Sequence, residues 1–259
     1  MSFPFFKVQH RPILIAHRGA SGYAPENTLT AFKLALDMGA RFIELDVQQT
    51  KDGHIVVCHD ADLSRVAKVR KTIGQMTLED LAKISIVLNH RKGRKIQEKI
   101  PTLEEVLTLI SRKAVVNVEI KTGPSALTQE KVLGILERKG YNGMSYISSA
   151  DPKCLRQVRA LSSNAYLGYI LAAKSLRLAI KEMRELRCDA LVVSAFQATR
   201  SLIGRAHQRG FHVCVYTINS KSAWDKLAQR RVDAMFTDYP DLVGLPEFEA
   251  PTLGLTSGE

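Results

Sequence analysis

Residues 13–48 read ILIAHRGASGYAPENTLTAFKLALDMGARFIELDVQ, and this stretch has the pattern of one complete β/α/β unit. An apolar run at 13–17 is followed by helical periodicity over about 28–38 and by a second apolar run at 42–48. Short apolar runs separated by an amphipathic helix are typical of parallel strands joined by a crossover. Gly39 stands directly after the helical segment, where a C-cap glycine is expected.

The same alternation continues along the chain. Six further strands are predicted at 115–121, 144–149, 166–171, 190–194, 212–218 and 234–237, and six further helices at about 102–112, 128–139, 152–161, 175–186, 199–209 and 220–230. Eight β/α repeats in 259 residues predict a (β/α)₈ TIM barrel. An open sheet of parallel strands is the alternative. We expect one domain over residues 1–245 and a mobile, Pro/Gly/Ser-rich tail over 246–259.

One unit departs from this rhythm after the second strand. Asp52-Gly53 lies between two apolar runs, which is a hairpin signal. Residues 61–99 then form an insertion with one predicted helix (TLEDLAKI), and they carry ten Lys and Arg against four acids, more than half of the net charge of +11. Because the insertion follows the C-terminal end of a strand, we expect it beside the catalytic face of the barrel. Basic surfaces of this kind attract phosphate on any carrier.

The overall composition is that of a globular protein, with 45% hydrophobic and 24% charged residues. No apolar run reaches the length of a membrane span, and the N-terminus lacks a signal-peptide pattern. The four cysteines are Cys58, Cys154, Cys188 and Cys214, and their spacing fits neither a zinc site nor a disulfide framework. We therefore expect a cytoplasmic protein.

Carboxylates recur at the predicted strand ends. Glu44 and Asp46 are two residues apart on the second strand, and Glu119 and Lys121 are two apart on the third. Residues at this spacing share one face of a strand, so each pair points the same way. Taken alone, either pair also suits a solvated strand face or a simple ion pair. Together, three carboxylates on neighbouring strands predict an oxygen-ligand site for Mg²⁺ or Ca²⁺.

Two histidines accompany these acids. His17 and Arg18 end the first strand, and His59 follows the hairpin. Imidazoles serve as general acid and base, and the charges of Arg18 and Lys121 suit an anionic phosphate. The combination points to metal-assisted cleavage of a phosphodiester.

Several motifs, in order, carry a resemblance to a known family: HRGASGYAPENTLTAF, ELDVQQTKDGHIVVCHD, IPTLEEVL, VEIK, VYTIN and FTDYPD. From about residue 13 to 243 the chain closely resembles the glycerophosphodiester phosphodiesterase family. The resemblance implies a TIM barrel with a small insertion after strand two. It also implies metal-dependent hydrolysis of glycerophosphodiesters to glycerol 3-phosphate and an alcohol. The roles it implies are metal ligands at Glu44, Asp46 and Glu119, an acid/base pair at His17 and His59, and substrate contacts at Arg18, Lys121 and Tyr216, the last where the family usually has Trp.

The PENT segment precedes the first helix. We expect Pro25 and Asn27 to shape the turn and Asn27 to cap the helix, while Glu26 and Asn27 support the groups that bind metal or substrate. Ala150 stands where the family commonly has an aromatic residue, which bears on the pocket for the leaving alcohol.

Other activities remain open at this point. Lysophospholipids are alternative substrates, and the basic insertion suggests peripheral contact with an anionic membrane. A related phospholipase D barrel fits the sequence less well. Such secreted proteins usually need disulfides and an export signal, and we expect neither from this sequence. A non-catalytic anion-binding barrel is a further alternative, but it would gain nothing from three converging carboxylates, whose mutual repulsion is destabilising without a cation. A nucleic-acid partner is not expected, since no aromatic–basic interleaving is present.

Overall fold

The computed structural model describes residues 12–89, 95–121, 127–172 and 175–244. The predicted tail and the basic residues Arg91, Lys92 and Arg94 lie outside these ranges. The strands are β1 Ile13–Ala16, β2 Phe42–Gln49, β3 Ile55–Val57, β4 Ile86–Asn89, β5 Lys95–Glu98, β6 Val115–Ile120, β7 Ser145–Ser149, β8 Tyr166–Ile170, β9 Ala190–Ser194, β10 His212–Tyr216 and β11 Ala234–Thr237. The helices are α1 Leu29–Asp37, α2 Ser64–Ala67, α3 Leu78–Ala82, α4 Leu103–Ile110, α5 Thr128–Arg138, α6 Pro152–Leu161, α7 Leu176–Glu185, α8 Arg200–His207 and α9 Lys221–Ala228.

Eight of the strands close into a parallel barrel. The hydrogen-bonded order runs β1-β11-β10-β9-β8-β7-β6-β2, and β1 also pairs with β2, where Ala16 lies opposite Ile43. This closure confirms the predicted TIM barrel, and the open-sheet alternative is wrong. Strand β3 pairs antiparallel with β2 through the turn at Asp52-Gly53, as the hairpin signal predicts.

Side-chain alternation divides the barrel into an inner and an outer core. Outward residues such as Ile43, Leu45 and Val47 pack with the surrounding helices, whereas Phe42 belongs to the inner cluster. Glu44 and Asp46 have the same parity as Phe42, so they also point inward. Strands β2 and β6 therefore run from an apolar floor, at Phe42 and Val115, to carboxylates toward the C-terminal end of the barrel, where TIM-barrel active sites lie.

The insertion is more structured than the sequence predicts. Besides the expected helix, now α3, it holds α2, a 3₁₀ turn at Ile73–Gln75 and the antiparallel pair β4–β5. It has its own core, which includes Leu63, Ile73 and Leu81. Elements of three or four residues are too short to produce a periodic signal, which is why only α3, with five residues and a capping box, could be predicted.

The prediction that Gly39 ends the first helix is confirmed, because Gly39 follows α1 with a φ of 85°. Asp151 caps α6, which has Pro152 in its first turn. Within the described ranges, no helix combines the length and apolarity needed to cross a membrane.

Candidate active site

His17 follows β1 and is fixed by an acid that follows β11. Its Nδ1 lies 2.7 Å from Asp238 Oδ1. Asn219 donates to the other oxygen of Asp238 at 2.6 Å, and Ser21 donates to Oδ1 at 3.0 Å. Burial alone would raise the pKa of Asp238, but the hydrogen bond and charge of His17 outweigh it and hold that pKa below its ordinary value. This contact through Nδ1 fixes the orientation of the imidazole ring.

A tight turn after His17 carries Arg18 to the acids. Arg18 has a φ of 56° and Gly19 of 82°, and a methyl group on Gly19 would lie 2.6 Å from the Ala31 carbonyl carbon. Only glycine allows this approach of the turn to α1. The turn directs the Arg18 backbone N–H to Glu44 Oε2 at 3.0 Å.

The three predicted ligands converge inside the barrel. One carboxylate oxygen from each of Glu44, Asp46 and Glu119 lies within 4.8 Å of the others. The register explains this, because Asp46 lies opposite Glu119 across β2 and β6. Burial, and then the negative charges of Asp46 and Glu119, raise the pKa of Glu44 well above its ordinary range. Burial and Asp46 also raise the pKa of Glu119.

Two cations border this cage of Glu44, Asp46 and Glu119. Lys121 Nζ lies 2.9 Å from Asp46 Oδ1 and 2.5 Å from Glu119 Oε1, while Arg18 Nε lies 3.2 Å from Asp46 Oδ2. Burial would raise the pKa of Asp46, but Lys121 and Arg18 outweigh it and lower that pKa. The cations thus stabilise Asp46 as an anion.

The cage fits a divalent metal ion. Two cations face three buried or half-buried carboxylates, and one of the cations, Arg18, is shared with Glu26, so the carboxylates outnumber the cations. Asp46 Oδ1 is buried and accepts no hydrogen bond of normal geometry. Carboxylate oxygens in this arrangement are the ligands that Mg²⁺ and Ca²⁺ prefer.

Asn27 and Glu26 support the cage from the turn before α1. Asn27 Nδ2 donates to Asp46 Oδ2 at 2.8 Å, and Asn27 Oδ1 accepts from the Asp46 backbone N–H at 3.3 Å. Glu26 accepts from Arg18 Nη1 at 2.8 Å. The prediction that Asn27 caps α1 is wrong, because the N-cap is Thr28, whose hydroxyl accepts from the Ala31 N–H. Asn27 instead adopts a φ of 58° and turns its amide toward Asp46.

His59 lies on the turn that follows β3. Its Nδ1 is 2.6 Å from Asp60 Oδ1. Gln48, buried on β2, donates to the carbonyl oxygens of Cys58 and Asp60, both at 2.9 Å. The side-chain amide therefore holds the backbone on both sides of the histidine.

One pocket at the C-terminal end of the barrel collects these groups. Its polar side includes His17, Arg18, Glu44, His59, Glu119 and Lys121, with Asn117 and Ser148 below, and its apolar side is Ile170, Val192, Tyr216 and Phe236. All predicted catalytic and substrate-binding residues line it, and Asp46 is buried beside it. A larger groove beside α5, outside the barrel, contains none of them.

Sequence reasoning missed the residues that orient the histidines. Asp238 belongs to the FTDYPD motif and Asp60 directly follows His59, but spacing assigns neither a partner. Gln48 and Asn219 gave no signal beyond being polar residues near strand ends.

Cleavage of a phosphodiester requires positive charge around the phosphoryl oxygens and groups that take and return protons. The pocket offers both beside a cage for a divalent ion, and it does so at the active end of a TIM barrel. The class of protein that these features define is the metal-assisted phosphodiesterases.

Comparison with known proteins agrees with this class. The family model described as the glycerophosphoryl diester phosphodiesterase family matches residues 17–242. The Bacillus subtilis protein YhdW is 35% identical over 234 residues, covering 89% of this chain and 96% of its own length. A glycerophosphodiester phosphodiesterase of Caldanaerobacter subterraneus is 32% identical over 235 residues, with coverage of 89% and 96%. An Oleispira antarctica phosphodiesterase, solved with the product sn-glycerol-3-phosphate, superposes with a TM-score of 0.80 at 29% identity, covering 89% of this chain and 94% of that one.

The chain belongs to the glycerophosphoryl diester phosphodiesterase family and is an enzyme of the phosphoric diester hydrolase type.

Proposed function

We propose that this enzyme converts glycerophosphodiesters to sn-glycerol 3-phosphate and an alcohol, with His17 and His59 as the acid/base pair. The observation that carries the proposal is the pocket itself, in which two imidazoles, each held by its own carboxylate, line the same cavity as the acidic cage. The glycerol 3-phosphate found with the Oleispira antarctica phosphodiesterase is consistent with this product.

In the first step, one imidazole removes the proton of the glycerol 2-hydroxyl, whose oxygen attacks phosphorus. A bond forms between that oxygen and phosphorus, and the bond from phosphorus to the alcohol oxygen breaks. The other imidazole, protonated, gives its proton to the departing alkoxide. The products are the free alcohol and a five-membered cyclic phosphate.

In the second step, the two imidazoles exchange roles and water opens the ring. The base removes a proton from water, the new P–O bond forms, and the ring bond to the 2-oxygen breaks as it receives a proton. Arg18 and Lys121 contact the phosphoryl oxygens and stabilise the charge that grows on them in both steps.

A divalent cation held by Glu44, Asp46 and Glu119 would supply Lewis acidity at the phosphoryl group. We propose Mg²⁺ or Ca²⁺, since the ligands are all carboxylate oxygens. Tyr216 stands on the apolar side of the pocket, where we propose that it contacts the substrate.

The first experiment measures glycerol 3-phosphate released from glycerophosphocholine and glycerophosphoethanolamine, with Mg²⁺, Ca²⁺ or EDTA. We expect metal-dependent release that His17→Ala abolishes. Asp225→Asn, at an exposed i,i+4 ion pair on α9, is the matched control and should leave the rate unchanged. Absence of product from folded, metal-loaded protein would contradict the proposal.

We also propose that the active face contacts an anionic lipid surface and that lysophospholipids are further substrates. Strand β9 lies diametrically opposite β2 in the ring, so the loop after β9 and the hairpin that leads into the insertion follow opposite strands of the barrel. Phe196 in that loop is 95% exposed. The loop is firmly held, because Gln197 accepts from the Ser194 N–H and donates to the Leu171 carbonyl oxygen. An exposed aromatic ring on a held loop, in a protein whose insertion is rich in Lys and Arg, suits an anionic lipid surface.

Sedimentation with phosphatidylcholine vesicles, with and without phosphatidylserine, tests this contact. Reversing the charges of Arg91, Lys92, Arg94 and Lys95, or replacing Phe196 with Ser, should weaken binding to the anionic vesicles. Unchanged binding in both variants would rule the contact out. The cytoplasmic location likewise stays a proposal, supported by four buried free cysteines.

A further inference from the structure

Arg65, on the short helix α2 of the insertion, bonds two acids from different loops: Glu26, in the loop after β1, and Asp60, in the turn after β3. Its Nη1 and Nη2 contact Glu26 Oε2 and Oε1 at 2.8 and 2.7 Å, a bidentate pair. Its Nε contacts Asp60 Oδ2 at 2.5 Å. One guanidinium thus uses three donors on two carboxylates.

Each of these carboxylates is also bonded to a residue that lines the pocket. Glu26 Oε1 accepts from Arg18 Nη1 at 2.8 Å, and Asp60 Oδ1 lies 2.6 Å from His59 Nδ1. A continuous series of bonded side chains therefore runs from Arg18 to His59, with Arg65 at its centre. Among the described residues, Arg65 is the one side chain that bonds both Asp60 and Glu26.

These contacts are unlike an ordinary surface ion pair. Burial would raise the pKa of Glu26, yet its hydrogen bond to Arg65 and the charge of Arg18 hold that pKa below the ordinary value. The planar fork of arginine fits two acids in a fixed geometry, which a lysine cannot reproduce. Arg65 is nonetheless half exposed, at 51%, so its contribution to folding stability is expected to be small.

We propose that Arg65 is a positioning residue for phosphodiester hydrolysis, which holds the phosphate-contacting Arg18 and the proton-transferring His59 in register through Glu26 and Asp60. This inference rests on the function proposed above. It also gives the insertion a definite role, because residues of α2 then complete a site built on the barrel strands. Catalytic groups tolerate little displacement, so loss of the Arg65 contacts to Glu26 and Asp60 should lower kcat far more than the free energy of unfolding.

The test compares Arg65→Gln and Arg65→Lys with Arg138→Gln, which removes an exposed arginine–glutamate pair on the outer helices. We expect both Arg65 variants to lower kcat for glycerophosphocholine by about 10- to 100-fold. Their melting temperatures should stay within about 3 °C of that of Arg138→Gln. In Arg65→Ala, added methylguanidinium should restore part of kcat, and it should not raise kcat of the wild-type protein.

Wild-type kcat in Arg65→Lys would overturn the proposal, because a positive charge would then be enough for activity without the planar guanidinium that bonds both acids. Wild-type kcat in Arg65→Gln would overturn it equally. So would a decrease in kcat that is fully explained by a smaller fraction of folded protein. The imidazole signals of His59 in ¹H–¹⁵N spectra give a readout that needs no turnover, and they should shift in Arg65→Gln but not in Arg138→Gln. If the wild-type protein hydrolyses no glycerophosphodiester, the proposed function fails and these spectra alone decide whether Arg65 positions His59.

Discussion

His17 Nδ1 lies 2.7 Å from Asp238 Oδ1, a contact that joins the ends of the first and last strands of the barrel. The two residues are 221 positions apart, and they meet because β1 and β11 are hydrogen-bonded neighbours in the closed ring. Asp238 also accepts hydrogen bonds from Asn219 and Ser21. Both donors are neutral, so they hold the carboxylate in place without cancelling the negative charge that it presents to the imidazole. Closure of the barrel therefore sets the orientation of the imidazole that we propose as an acid/base group.

Replacing Asp238 with Asn should lower kcat by about 10- to 100-fold, with a smaller change in KM. The amide can still contact the ring, but it no longer fixes one tautomer or stabilises the imidazolium. Steady-state kinetics on glycerophosphocholine measure the effect, beside Asp225→Asn as the matched control. A kcat equal to that of the control would mean that Asp238 does not orient His17.

Loss of a cage ligand should remove the response to metal. A saturating divalent ion at one hundred times its Kd adds about 2.7 kcal/mol to the free energy of unfolding, or about 5–10 °C in Tm for a chain of this size. Glu119→Gln should lose that shift because it removes one of three ligands and its charge. Thermal scans with Mg²⁺, Ca²⁺ and EDTA test this.

Glu104→Gln is the control for the metal experiment, since Glu104 lies on α4 and pairs with Arg138 at the protein surface. Its metal-induced shift should equal that of the wild-type protein. A shift preserved in Glu119→Gln would place the cation elsewhere.

Asn27 allows the side chain and the backbone to be tested separately. Asn27→Ala should weaken metal binding by about 10- to 100-fold, because buried Asp46 Oδ2 loses a donor at 2.8 Å. It also places alanine at a φ of 58°, which costs stability. Asn27→Gly keeps the backbone conformation and still removes the amide. Calorimetric titration with Mg²⁺ should therefore show weak binding in both variants, and wild-type affinity in Asn27→Gly would show that the amide does not matter.

The sequence predicted the barrel and the cage because both depend on alternation, of strands with helices along the chain and of side chains within a strand. The two histidines lie just beyond strand ends, and the acid/base roles that the family motifs imply for them stay a prediction. Glu44 and Asp46 must share a face whatever the rest of the chain does, and the parallel order brings Glu119 beside them. Asp238 and Arg65 could not be predicted in the same way. Their roles depend on which loop lies over which strand end, which is decided by tertiary packing rather than by spacing along one element.

The position of Asn27 also depends on tertiary contacts that the local sequence does not reveal. Asparagine and threonine both favour N-cap positions, so local propensity cannot choose between Asn27 and Thr28. The choice is made by Asp46, a buried carboxylate 19 residues away that needs the amide as a donor. Thr28 then takes the cap.

At the opposite end of the barrel, Asp233 should make stability depend on pH. Its carboxylate accepts from the Val213 N–H at 2.7 Å and contacts the rings of His207 and His212. Burial would raise the pKa of Asp233, but the hydrogen bond from His207 and the other contacts lower it to about 2. The unfolded chain holds this proton at a pKa of about 4, so it binds more protons than the folded protein between these values, and stability falls as the pH drops through that window.

The shift corresponds to about 2 kcal/mol at neutral pH. Asp233→Asn should lose about that much free energy of unfolding at pH 6 in urea titrations, and the difference from wild type should shrink as the pH falls from about 4 toward 2. Asp37→Asn, at an exposed pair with Lys33, is the control and should show no such convergence. Because Asp233 lies at the N-terminal end of β11, away from the pocket, kcat of the folded variant should stay unchanged. A constant difference between Asp233→Asn and wild type from pH 6 to pH 2 would mean that the carboxylate acts through packing alone.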